Sequence, residues 1–463
     1  MYSTTLYNVS TIGYIISLAI SGINLLNNKK IILKTSIIMI AISFLIQTFG
    51  MLFRWAEAGE LEVNAVKKAL GQEISGLSWW VTFTQHPPWS NLYEIMIYMS
   101  WGIILVTLIC EIKWKLPILN KVGLLLALLA LGIASLTDSS IKPLVPALKS
   151  WWIMIHVISA SIAYAFGFIA SFMCFFALLK DEKRVSLNNL VAGFLIFMSV
   201  LLFSLTGGFR LFTEQAYFVK LLAYAGNNLS LVFDLSNNNN KAYLVGMPYV
   251  AYPFMFSIII HIVFASLILL FKKHHKNLFI VSFISVFVCM LIVLFNDMTK
   301  ANIIISSGQV HHLSLNPPYY VSFISHPWSF GLLVFVFLLE ILFLIFLLKK
   351  ESFNKKLPSV SSLEEMSYKS ISFAFFLMTV VLITGALWAH YAWGRYWAWD
   401  PKETGALAIW LIYAVFLHTK KTQGLSGPVS SFIGVLGLFV IIIGFLGVNL
   451  GLFADGLHTY GNS

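Results

Sequence analysis

Apolar residues along this chain neither alternate nor form a narrow helical stripe. They run on in stretches of about 20 residues, broken by short polar or basic connections, the length a helix needs to cross a ~30 Å hydrocarbon core. The pattern predicts about twelve spanning helices, over 11–28, 35–53, 92–111, 120–137, 151–179, 187–207, 249–271, 277–296, 328–348, 371–390, 404–418 and 429–450. The expected fold class is all-α, a polytopic transmembrane helical bundle. It divides into an N-terminal part, 1–180, a middle part with long connections, 181–360, and a C-terminal part, 361–463. The first run, Ile12 to Leu26, has no basic residue before it and no small-residue cleavage site after it, so it reads as a mature helix.

Composition agrees with that pattern. Hydrophobic residues make up 59% of the 463 and charged residues only 11%, against about 25% charged in soluble domains. The mean hydropathy is +0.85. Such a chain has too few charges to cover a water-facing surface. Assigning successive connections to alternate sides places 19 of the 30 Lys and Arg on one side, in the shorter connections. By the positive-inside rule that side is cytoplasmic and both termini face outwards. The net charge of +11 therefore reads as topology, not as nucleic-acid binding. Cys110, Cys174 and Cys289 all lie inside apolar runs, with no CxxC or CxxCH. That argues against a thiol-disulfide carrier and against haem attached covalently to this chain.

The outer connections carry the unusual residues. The first holds Trp79, Trp80, His86, Pro87, Pro88 and Trp89, and the fourth holds His311, His312, Pro317, Pro318 and His326. Interfacial anchoring explains most of these aromatics. Residues 224–242, with Asn227, Asn228 and the run Asn237 to Asn240, read as a flexible outer loop. From Gly385 to Thr404, the chain sets Trp388, Trp393, Trp397 and Trp399 within twelve residues, together with Gly394, Asp400 and Pro401. An anchor belt needs neither that density nor those three residues. Closely set indoles suggest a flat apolar platform for a large planar ligand, and Arg395 and Lys402 could pair with carboxylates on it.

The segment Trp393-Gly-Arg-Tyr-Trp-Ala-Trp-Asp-Pro-Lys-Glu403 resembles the tryptophan-rich "WWD" signature of haem-handling proteins in cytochrome c biogenesis. Its ending is similar to the CcsA/ResC branch. Three further stretches agree: Pro88-Trp-Ser-Asn-Leu-Tyr-Glu94 leading to Trp101, Ser150-Trp-Trp-Ile-Met-Ile-His156, and Gly447-Val-Asn449 followed by Gly456-Leu-His-Thr-Tyr-Gly461. The resemblance covers roughly 40–180 and 360–463, leaving 185–355 as an apparent insertion of about four spans. It implies haem b as substrate, ligated outside by His156 and His458 beside Trp388, Trp393, Gly394, Arg395, Trp397, Trp399 and Asp400. It also implies a third, membrane-embedded ligand at His418, about 14 residues into its span and so ~21 Å from the outer edge. The implied reaction joins haem vinyl groups to the CxxCH thiols of apocytochrome c, which makes the chain a haem lyase (holocytochrome c synthase) subunit. The implied partner is a CcsB/ResB-like membrane protein, and the implied location is the bacterial inner membrane, ahead of the thylakoid.

Several residues stand outside that scheme. His390 occupies a position where the family more often has another polar residue. His261 and Glu340 fall about twelve residues into their spans, at matching depth, where ionisable groups are costly and usually paired or functional. They either hydrogen-bond to each other, or His261 supplies the ligand otherwise provided by a CcsB-like partner. A haem exporter without ligase activity, a b-type electron-transfer subunit and a secondary transporter for another solute remain alternatives.

Overall fold

The computed structural model describes residues 2–27, 29–135, 137, 139–141, 144, 148–181, 185–205, 218–225, 228–234, 241–242, 244–246, 251–271, 275–306, 319–322, 327–422 and 427–444. The chain divides into two compact units, one of residues 1–181 with 357–463 and one of residues 182–356.

The first unit is helical: α1 (Tyr2–Asn27), α2 (Lys30–Leu70), α3 (Gly76–Thr84), α4 (Leu92–Trp114), α5 (Pro117–Ser135), α6 (Trp151–Lys180), α11 (Val360–Trp393), α12 (Pro401–Thr422) and α13 (Pro428–Ile442). Helices α1 and α2 pack along a seam of small polar residues. Ser3, Ser10, Ser17 and Asn24 recur at a spacing of seven and are buried, as are Ser36, Ser43 and Gln47. Small residues let backbones approach where lipid offers no hydrophobic drive. A Cβ on Gly13 would collide with Ser43 Oγ, and Tyr14 Oη–H donates to Gln47 Oε1 across the seam at 2.8 Å. Helix α2 runs well past the span expected at 35–53. Residues 54–70 are rich in the helix formers Ala, Glu, Leu and Lys, and the helix stops only at Gly71, which takes φ +67°. Helix α6 lies at the centre of the unit, against α11, α13 and α4.

The second unit contains α7 (Leu187–Leu205), α8 (Ala251–Phe271), α9 (His275–Ser306) and α10 (Pro327–Lys356). Phe194 on α7 stacks on Phe343 of α10 at 4.0 Å, with Phe279 of α9 at 5.2 Å from Phe343. The unit also carries strands, which the all-α expectation did not include. These are β1 (Phe218–Ala225), β2 (Asn228–Leu231), β3 (Phe233–Asp234), β4 (Lys241–Ala242), β5 (Leu244–Gly246) and β6 (Tyr319–Ser322). Strand β1 pairs antiparallel with β2, β5 and β6, and β3 pairs with β4. The stretch read as a flexible loop at 224–242 is therefore partly strand. The register runs from Leu222↔Leu231 to Ala225↔Asn228. Asn237 to Asn240, like His311, His312 and His326, lie outside the described residues.

Among the described residues, each apolar run expected to span carries a helix. Among the described residues, seven helices are long and apolar enough to cross a membrane: α1, α2, α4, α5, α6, α8 and α11. Shorter apolar helices lie in α7, α9 and α13.

Candidate functional site

His156 sits in the first turns of α6, after Ser150 caps the helix by accepting the Trp152 N–H. Its Nδ1 lies 2.9 Å from the carbonyl oxygen of Val381 on α11. A carbonyl only accepts, so Nδ1 carries the proton and Nε2 keeps its lone pair. The ring fits there because position 385 is glycine: a Cβ would stand 2.9 Å from both Cε1 and Nδ1. Trp388, one turn along α11, lies 6.5 Å from the imidazole at 29°, and Trp393 meets Trp388 edge-on at 4.8 Å and 62°. These residues, with Trp89, Trp397 and Lys402, line one cleft of the first unit.

The indoles do not form the flat platform expected from their spacing. Trp397 and Trp399 also meet edge to face, at 88°, the arrangement that ring quadrupoles favour. The aromatic residues wall the cleft; they do not pave it. Trp399 is 71% exposed and holds φ +60°, a left-handed conformation that costs a bulky side chain about 1–3 kcal/mol.

Two of the sequence motifs turn out to be helix caps. In the first, Asp400 Oδ1 accepts from Lys402 N at 2.9 Å, while Glu403 Oε2 accepts from Asp400 N at 3.2 Å and Ala398 N at 2.7 Å. This is a capping box with Pro401 at the first helical position, and it ties the Trp loop to α12. Gly394 ends α11 at φ +73°, its N–H bonded to His390 O. Asp400 and Gly394, expected beside a ligand, thus have structural duties. In the second, Asn91 Oδ1 accepts from Glu94 N at 2.9 Å and Glu94 Oε2 accepts from Ser90 N at 2.8 Å. Glu94 Oε1 pairs with Arg54 Nε at 2.9 Å, and Arg54 also donates to Ser139 O at 2.8 Å. Behind this loop, buried His86 places Nδ1 3.2 Å from Glu62, whose other oxygen takes Lys149 at 2.7 Å. Burial pushes the His86 imidazole below its usual range despite that carboxylate.

Lys402 belongs to the cleft lining. Burial pulls its ammonium down to about 7, partly offset by Asp400. Arg395 is exposed, and His390 stacks on Tyr396 at 4.2 Å and 8°, which accounts for it without a ligand. His418 is not brought to the cleft. It lies 16 residues beyond Lys402 on α12, about 24 Å along the axis, exposed, and two residues before Lys420, which pairs with Glu364 at 3.1 Å. His458, Asn449 and the segment 456–461 lie outside the described residues. In the second unit, His261 Nε2 is 2.8 Å from Glu340 Oε1 and its Nδ1 is 2.6 Å from Ser257 O. Both ring nitrogens are engaged, so the pairing alternative holds and neither nitrogen is open to iron. Sequence alone did not single out Val381, and it assigned Gly385, at the start of the Trp-rich segment, and Trp89, in the Pro88–Glu94 stretch, no role in a cleft.

The sequence profile of the family described as cytochrome c assembly protein matches residues 89–237 and 249–453. The match runs through most of 182–356, so the segment read as an insertion belongs largely to the matched stretch. The chain is 27% identical over 447 residues to cytochrome c biogenesis protein CcsA of Prochlorococcus marinus (strain NATL2A), covering 94% of this chain and 97% of that protein. CcsA of Chlamydomonas reinhardtii is 42% identical over 134 residues, 29% of this chain and 37% of its own. Over a shorter stretch, 106 residues, CcsA of Parasynechococcus marenigrum (strain WH8102) reaches 45%, covering 23% of this chain and 34% of its own.

Proposed function

The chain belongs to the cytochrome c assembly protein family, and from that premise we propose that it holds haem b in the cleft beside His156 and presents it to apocytochrome c. Its role is in cytochrome c biogenesis and haem handling. The observation that carries the finer reading is the state of His156, which lines a cleft walled by Trp388 and Trp393: Nδ1–H is fixed to Val381 O, the ring rests on Gly385, and Nε2 keeps its lone pair. A neutral imidazole whose other nitrogen is fixed by a carbonyl is the form in which histidine ligates metal. The apolar walls suit a porphyrin face, so the residues present fit haem as cargo.

The second axial ligand is His458, and His418 receives haem at the opposite, basic end of α12. Two histidine ligands protect the iron while the cleft orients the vinyl edge, so the chain works by proximity. At each vinyl group the apocytochrome thiol adds across the double bond: a carbon–sulfur bond forms, the thiol proton moves to the neighbouring carbon, and nothing is oxidised. The nucleophile comes from the CxxCH substrate. A CcsB/ResB-like membrane protein completes the machine. All the helices except the short α3 cross the membrane, twelve spans in a bacterial inner membrane or its thylakoid equivalent, with both termini outside.

An absorption spectrum of the detergent-purified protein tests this. Wild type is expected to show a reduced low-spin haem spectrum that weakens or shifts in His156→Ala and His458→Ala. Spectra unchanged in both variants would overturn the assignment of these ligands, and a wild type that takes up no added haem would overturn the reading itself.

A further inference from the structure

Trp89 follows Pro87-Pro88 in the turn leading to α4, held there by the Asn91 and Glu94 cap. The indole is 5% exposed and packs edge-on against Tyr98 at 5.1 Å and 75°. Its Nε1–H has no hydrogen-bond partner in the protein. The chain provides for other indoles. Trp101 donates to Thr48 Oγ1 at 2.9 Å, Trp410 to Thr379 Oγ1 at 2.9 Å, and Trp55 to Thr84 O at 3.3 Å. An indole nitrogen can only donate, and a buried donor left unmet is costly. Among the described residues, Trp89 is the tryptophan whose buried donor is left this way.

Its place gives the reason. Trp89 lines the same cleft as His156 and Lys402, where much of the remaining lining is apolar, including Ile95, Met99 and Leu382. Glu403, a carboxylate on that lining, has Oε2 engaged by the N–H groups of Ala398 and Asp400. The residues lining the cleft thus include His156, an indole whose N–H is unmet within the protein, and the Lys402 ammonium, all among apolar walls. That set is complementary to a planar apolar body bearing carboxylates.

We propose that Trp89 donates its indole N–H to a carboxylate of the ligand held beside His156, with Lys402 supplying the countercharge, so that the cleft selects for the acidic edge of its cargo. The inference rests on the haem reading above, and the carboxylate is then a haem propionate. Binding through this edge sets the rotation of the porphyrin about the iron–histidine axis. Trp89 is a positioning residue, reached through a loop distant in sequence from the Trp-rich one.

The test is a titration of the full-length purified protein with haemin and with haemin dimethyl ester, in which both carboxylates are blocked, followed by absorbance. Wild type is expected to bind haemin about tenfold more tightly than the ester, as a charge-assisted hydrogen bond implies. Trp89→Phe keeps the ring against Tyr98 and is expected to narrow the gap between haemin and the ester several-fold, the remainder being the Lys402 contribution, and to leave the ester unchanged. His156→Ala is expected to weaken both. If Trp89→Phe binds haemin like wild type, or loses haemin and ester equally, the inference is overturned and the haem reading stands. If wild type binds the ester as tightly as haemin, carboxylate selection is overturned without any substitution. A wild type that binds neither removes the haem reading and this inference with it.

Discussion

Gly385 shows how much one missing side chain can decide. His156 approaches α11 closely enough to bond Val381 O because position 385 has no Cβ. Alanine is the better intrinsic helix former, yet its methyl would stand 2.9 Å from the imidazole. Gly385→Ala is therefore expected to keep the helix, displace the ring and lower haem affinity by about 10–100-fold, the usual effect of disturbing the group that orients a ligand. A haem titration of the variant checks it, and unchanged affinity would separate His156 from iron. Lys402 adds a pH dependence. Burial lowers its ammonium to about 7, so the side chain gains charge as pH falls through that value, and a bound carboxylate favours the charged form. The preference for haemin over its dimethyl ester is expected to grow as pH drops from about 8 to about 6, and to be flat in Lys402→Met. His156, Tyr164, Tyr396 and Glu403 are the other titratable groups on the cleft lining, and the comparison with Lys402→Met separates Lys402 from them.

At the scale of elements, buried polar contacts join several of the helices. The serine seam between α1 and α2 is one case. The contact from α8 to α10 through His261 and Glu340 is a sharper one. With Nδ1–H donated to Ser257 O, a neutral His261 can only accept at Nε2, so a single proton lies between Nε2 and Glu340 Oε1. Both side chains are fully buried. Glu340→Gln can still donate to Nε2 and is expected to unfold close to wild type. Glu340→Ala leaves the ring nitrogen unmet and is expected to destabilise by about 1–3 kcal/mol, read as a lower melting temperature in detergent. Equal melting of all three forms would deny the pair a structural role. The two capping boxes work at the same scale. Each starts a helix, α4 or α12, and in doing so fixes an adjacent loop that carries a cleft tryptophan.

The whole chain is two helical units, the second interrupting the first between residues 181 and 357. The first unit holds the His156 cleft at one end of α6, α11 and α12, and the basic Lys420 and Glu364 pair at the other. That polarity matches the uneven charge of the connections. Reporter fusions after residue 463, and in the connection before Leu187, are expected to report opposite sides of the membrane, with the C-terminal one outside. Fusions reporting the same side would remove the twelve-span arrangement.

Long apolar runs, sparse charge and the distribution of Lys and Arg determined the membrane class and the positions of the helices. This was legible because a lipid core constrains each segment by itself: length and hydropathy are properties of one stretch of chain. The Trp-rich motif likewise marked its family and one wall of the site. What the sequence did not determine was which residues face one another. Val381 and Gly385 matter only because α6 lies against α11 at that point, Trp89 only because its loop folds over the same cleft, and the indoles met edge to face because packing set their planes, not their spacing. The strands within 218–246 were missed because β1 takes one of its partners, β6, from residues 319–322, a pairing that no local pattern announces. Non-local contact decided each of these, and a one-dimensional pattern carries no record of it.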